Sequence, residues 1–141
     1  MVNSEIRKKI KRIKKTKKNF NIKKQNEIIS KLNFKLTNYQ NKTLSEINED
    51  LCSENKMFRL LQGDVGSGKT IVSLLSAFNT INSGFQVAVM APTEILARQH
   101  FLLAKKLFSR NIKIELISGK SSYKGLLSYL YKKIFLKFIQ S

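Results

Sequence analysis

Phe58-Arg59-Leu60-Leu61-Gln62-Gly63-Asp64-Val65-Gly66-Ser67-Gly68-Lys69-Thr70 governs how the rest of the chain can fold. An apolar, strand-like run over 58–62 leads into the pattern G-x-x-x-x-G-K-[ST]. A periodic apolar helix is predicted behind it over 71–81, so both flanks suit the motif. Gly63, Gly66 and Gly68 permit backbone angles that a Cβ would forbid, and consecutive N–H groups can then curl around phosphate oxygens. Those amides open a helix, whose N-terminal partial charge adds to the attraction for an anion. Lys69 is placed to set an ammonium on the outer phosphates, and Thr70 a hydroxyl on the Mg²⁺ that accompanies them. A chance glycine-rich turn is the bland alternative; three glycines, the Lys-Thr pair and both flanks weigh against it.

The 141 residues suffice for one domain of ordinary size and not for two. With 27 Lys+Arg against 9 Asp+Glu the formal net charge is +18, which favours polyanionic partners; an AT-rich coding sequence also inflates lysine and offers a neutral explanation. Cys52 is the only cysteine, so an intrachain disulfide and a cysteine zinc site are excluded, and a reducing cytoplasmic setting is expected. No apolar run approaches the length of a membrane span, and the N-terminus lacks the apolar core of a secretory signal.

Residues 5–18 carry nine Lys/Arg and one Glu, with Ile6, Ile10 and Ile13 on one helical face. This predicts a basic amphipathic helix that serves as a linker or lies on phosphates. Ile28, Ile29 and Leu32 predict a second short helix. Thr37 and Gln40 form a capping-box pattern ahead of a helix bearing Leu44, Ile47 and Leu51. The helix behind the loop presents Leu74, Ala77, Phe78 and Ile81 and stops at Asn82-Ser83-Gly84. The run 86–91 reads as a strand buried on both faces of a parallel sheet. After Pro92, Thr93 caps a helix through Phe108 on which Leu96, Leu103 and Leu107 share a face. Ile112, Ile114 and Leu116 alternate with Lys113 and Glu115 in a further strand ending near Ser118-Gly119. Alternating strands and helices give an α/β winding. Residues 121–141 have no acid and no clear period, and read as a weak helix or disorder.

Leu60 to Thr70, followed about twenty residues on by Ala91-Pro92-Thr93-Glu94-Ile95-Leu96-Ala97-Arg98-Gln99-His100, closely resembles the first motor lobe of the RecG ATP-dependent DNA helicases of superfamily 2. Phe34-Lys35-Leu36-Thr37-Asn38-Tyr39-Gln40 is similar to the segment that precedes the phosphate loop in that family. The resemblance covers roughly 19–120 and implies a partial RecA-like lobe, a parallel sheet flanked by helices, over 34–120. A basic helical arm over 1–33 precedes it and a divergent tail over 121–141 follows. It implies ATP and Mg²⁺ as cofactors, branched or forked DNA as partner, and a role in recombination and repair. On the same ground Gly63, Asp64, Val65, Gly66, Ser67, Gly68, Lys69 and Thr70 bind the triphosphate, with Thr70 on the metal. Gln40 contacts the adenine edge, or else only closes the capping box on Thr37. Pro92 and Thr93 contact the DNA backbone at the helix start, or form an ordinary N-cap; Arg98 assists, and His100 either assists or is an ordinary surface or packing residue.

Hydrolysis in this class needs an Asp at the end of an apolar strand with a neighbouring Glu, to hold the metal and activate water. The only aspartates here are Asp50 and Asp64, and no acid follows Glu115, so no complete catalytic set is expected. A second lobe normally supplies an arginine that raises the rate ~10³- to 10⁵-fold. In the family a wedge domain precedes this lobe, and the strands beside the loop strand come from later sequence. An unpaired edge at 58–62 is therefore expected, in an unstable or partner-dependent fragment. Two readings follow: a segment of a RecG-like helicase active only with separate chains supplying the rest, or a non-catalytic nucleotide- and nucleic-acid-binding fragment or decayed gene product. A small kinase is disfavoured, for want of later lid arginines and an acidic base.

Overall fold

The structure, a computed structural model, describes residues 13–108, 112–117 and 134–140. It divides into two compact units, Met1–Ser83 and Gly84–Ser141.

The first unit holds helices α1 (Ile22–Ser30), α2 (Asn38–Cys52) and α3 (Lys69–Asn82). Each start has a local cause. Asn21 accepts a hydrogen bond from the Lys23 amide at the head of α1, and the predicted capping box closes α2 from both sides. α3 begins behind Gly68 with no side-chain cap, and ends at Asn82 with Gly84 just beyond at φ +82°. α3 packs against α1 and α2, burying Val72, Leu74, Leu75, Phe78 and Ile81 along with Ile28, Leu44, Ile47 and Leu51. One polar cluster, buried except at Asn48, lies among these helices. Asn79, 1 % exposed, donates to Gln25 of α1 and to Asn48 of α2, and Asn48 donates to Gln25 as well. Three amides so joined tie the register of the helices together, because a slip of any one would strand buried donors.

Two expectations fail in this unit. Residues 13–18 are extended rather than helical: Lys14 forms an antiparallel bridge with Asn55, and the Lys15 and Lys18 amides donate to Glu54 and Leu51 carbonyls. The lysine side chains drive this. Lys15 Nζ donates to the Leu51 and Ser53 carbonyls at 2.8 and 2.6 Å, satisfying orphan acceptors at the end of α2. Lys14 and Lys17 both pair with Glu54. The rest of the predicted basic helix lies outside the described residues. The run 58–62 is not a strand either, though it stays unpaired as expected: it joins no ladder among the described residues and leaves Phe58 and Leu60 56 % and 77 % exposed.

The second unit contains β1 (Val87–Ala91), α4 (Glu94–Leu107), β2 (Ile112–Ile117) and β3 (Ile134–Gln140). The sheet order is β1-β3-β2. β3 is antiparallel to both neighbours, with Val89 opposite Leu136 and Leu116 opposite the same Leu136 on the other side. β1 and β2 thus run in the same sense, as the winding predicts, but they are not neighbours: the expected parallel pairing is replaced by two antiparallel ladders. The tail supplies that central strand. Its expected weak helix or disorder is corrected over 134–140, and 121–133 lie outside the described residues. α4 packs on the sheet through Ala97, Ala104 and Leu107, whereas Leu96 is exposed, contrary to the predicted stripe. The helix ends at Leu107, with Phe108 as its cap. β1 alternates, with Ala88 and Met90 exposed, and is not covered on both faces as expected.

Candidate nucleotide site

The first unit brings the whole motif into one loop. After Gly63 the chain turns tightly, the Ser67 amide donating to the Asp64 carbonyl at 3.2 Å, and enters α3 at Lys69. Gly68 stands at φ +81°, a left-handed conformation that an L side chain resists. A Cβ on Gly68 would also run into the Gln40 amide, which would have to move aside. A Cβ on Gly63 would lie 2.8 Å from Ser67 Oγ. A side chain at either glycine would therefore make Gln40 or Ser67 give way.

Lys69 Nζ turns back over the loop and donates to the Gly63 and Asp64 carbonyls, both at 2.6 Å, and to Ser67 Oγ at 3.3 Å. Its ammonium is thereby held within the loop. Thr70 occupies the first turn of α3, half-buried. Val65 projects fully into solvent at the outer bend.

Gln40 does more than the sequence reading allowed. Its Oε1 accepts from the Thr37 amide at 2.9 Å, closing the capping box, and its Nε2 donates to the Ser67 carbonyl at 2.8 Å. One side chain thus fastens the start of α2 to the phosphate loop, and both ends of its amide have protein partners. Farther back, Arg59 reaches α2 as well: Nε donates to Asp50 at 2.6 Å and a terminal nitrogen to Glu46 at 2.8 Å. The bond to Asp50 holds the guanidinium even more firmly protonated than usual. Sequence reasoning missed Arg59. The signal available was a lone charge inside an apolar run, together with two acids four residues apart on a predicted helix.

In the second unit, Thr93 Oγ1 accepts from the Leu96 amide at 3.3 Å and caps α4, next to the exposed Pro92. Arg98 pairs with Glu94 one turn earlier at 2.7 Å, and His100 is half-buried on the same helix. Among the described residues no cluster of three His, Cys, Asp or Glu side chains could hold a metal, and no helix is long and apolar enough to cross a membrane.

A glycine-shaped loop opening a helix, with a lysine at its first helical residue, is the geometry of a P-loop. The sequence profile of the DEAD/DEAH box helicases matches residues 37–138, and the chain belongs to that family. Within it, the chain is 48 % identical over 111 residues to the ATP-dependent DNA helicase RecG of Aquifex aeolicus, covering 78 % of this chain and 14 % of that one. It is 52 % identical over 88 residues to RecG of Streptococcus pneumoniae, covering 62 % and 13 %. A solved structure of RecG bound to a three-way DNA junction superposes with a TM-score of 0.66 at 46 % identity, over 71 % of this chain and 14 % of that one. The fold is accordingly a RecA-like α/β lobe, and the chain spans about one seventh of the length of these relatives.

Proposed function

We propose that the chain binds ATP with Mg²⁺ through residues 63–70, as the nucleotide-gripping portion of a RecG-like helicase that remodels branched DNA in the cytoplasm. The observation that carries this reading is the loop itself: Gly63 and Gly68 let the Ser67 and Gln40 side chains approach where a Cβ would collide, and Lys69 and Thr70 stand at the head of α3. Lys69 would exchange its carbonyl partners for phosphate oxygens, and Thr70 would take the metal, which neutralises charge between the phosphates. An open depression of about 610 Å³ is lined by residues from Ile29 to Leu36 and by Asn41, the residue after Gln40, with the half-exposed Phe34 ring in its wall. A base could stack there, with Gln40 turning from Ser67 to the adenine edge. At Pro92 and Thr93 the capped start of α4 suits a DNA phosphate, with Arg98 exchanging Glu94 for it.

The chain on its own is proposed to hold nucleotide without splitting it. Of its two aspartates, Asp50 is engaged by Arg59 and Asp64 lies in the loop, so neither ends a strand facing the metal. Titration with a fluorescent ATP analogue tests both parts. The parent should bind, Lys69→Ala should weaken binding about tenfold or more, and neither should release phosphate with DNA present. A parent that fails to bind overturns the site, and Lys69-dependent phosphate release overturns the division of labour.

A further inference from the structure

We propose that Arg59 is a positioning residue for the phosphate loop: it touches no nucleotide but fixes the loop's upstream end to α2, whose N-terminus already holds the downstream end through Gln40. The inference rests on the reading of 63–70 as a nucleotide site.

Arg59 lies four residues before Gly63, and Ser67, the residue held by Gln40, lies four residues after it. Fully extended, the eight residue steps from Arg59 to Ser67 could span ~27 Å. The anchors on α2, Gln40 at one end and Glu46 with Asp50 at the other, are only about 9–15 Å apart along the helix axis. The surplus chain must fold, and it folds as the cradle. Glu46 and Asp50 are one helical turn apart and share a face, so a planar guanidinium can engage both at once. Among the described residues, these two bonds are the only hydrogen bonds that fasten 57–62 to the rest of the chain, since that run joins no ladder. Removing them would free the upstream end while Gln40 still gripped the downstream one.

The three side chains are 37–42 % exposed, so the pairs add little to global stability. Geometry is what they supply. A loop that samples several shapes presents its amides to phosphate in the right array for only part of the time, and apparent affinity falls by that fraction.

The test is titration of the full chain with a fluorescent ADP analogue, beside thermal melts. Arg59→Met should weaken binding about fivefold with the melting temperature nearly unchanged. Arg59→Lys should fall between, because one ammonium cannot engage both carboxylates in a fork. Lys56→Met, an equal loss of charge at an exposed side chain with no bond to α2 among the described residues, should bind like the parent. Amide exchange over 63–68 should quicken in Arg59→Met alone. Parent-like affinity in Arg59→Met, or an equal loss in Lys56→Met, overturns the proposal. If Arg59→Met does not fold, Asp50→Asn and Glu46→Gln replace it, and parent-like affinity in both overturns the proposal equally. Loss of binding in Lys69→Ala with none in Arg59→Met sinks this inference alone, whereas a parent that binds no nucleotide sinks the site as well.

Discussion

Gly66 and Gly68 share nearly the same backbone angle, φ +83° and +81°, yet they stand in different surroundings. Nothing lies within 4 Å of a Cβ built on Gly66, while one on Gly68 meets the Gln40 amide. The two positions therefore separate backbone strain from crowding. Gly66→Ala should lower stability by about 1 kcal/mol through its left-handed angle alone. Gly68→Ala should cost about 1–2 kcal/mol more, because Gln40 must abandon Ser67 or the capping box. In a Gln40→Ala background the difference between the two glycine variants should vanish, as read from urea midpoints; a difference that persists would mean that Gln40 is not what Gly68 makes room for. At this scale the sequence was most informative. Glycine spacing, the Lys-Thr pair and the capping box are short-range patterns whose physics lies within a few residues. The double use of Gln40 escaped notice because Ser67 is 27 residues away and no local pattern links them.

Elements built from local caps and periodicity were legible: α2, α3 and α4 lie where Thr37, the loop and Thr93 place them. Elements that depend on distant partners were not. The segment 134–140, Ile-Phe-Leu-Lys-Phe-Ile-Gln, does not alternate cleanly, and only its pairing with β1 and β2 makes it a strand. The strap at 13–18 misled in the opposite way, since isoleucines at helical spacing compete there with acceptors at the end of α2 that want lysine. Glu54 clasps the strap, and the hydrogen bond from Lys14, then that from Lys17, hold its carboxyl below the usual range. A carboxylate whose folded-state pKa is depressed adds its contribution above the unfolded value of ~4.3, and that contribution is lost as pH falls through the folded one. The strap should therefore stay clasped at neutral pH and loosen in acid. Glu54→Gln reproduces the uncharged state at pH 7, and should be cut by trypsin after Lys14 and Lys17 several-fold faster than the parent. Equal cutting rates would show that the backbone bonds and the Lys15 side chain hold the strap without Glu54.

Taken as one molecule, the chain sets a large repulsion against a local attraction. Its net charge of +18 keeps copies apart, because 27 cations cannot all find partners among 9 acids. The run 57–62 pulls the other way: Met57, Phe58 and Leu60 are exposed on an extended segment whose backbone joins no ladder among the described residues. Such a segment can pair with its counterpart in a second copy. Charge repulsion is screened as the Debye length shrinks from ~30 Å at 0.01 M salt to ~3 Å at 1 M, whereas apolar contact is not weakened by salt. Self-association should therefore rise with ionic strength, opposite to what ion-paired contacts would show. Leu60→Lys places a charge in the middle of the segment without touching Arg59 or the loop glycines, and should keep the protein monomeric at high salt. Sedimentation velocity across that salt range decides between the two forces. A parent that stays monomeric throughout, or a Leu60→Lys variant that associates as readily, would show that this segment is not where copies meet.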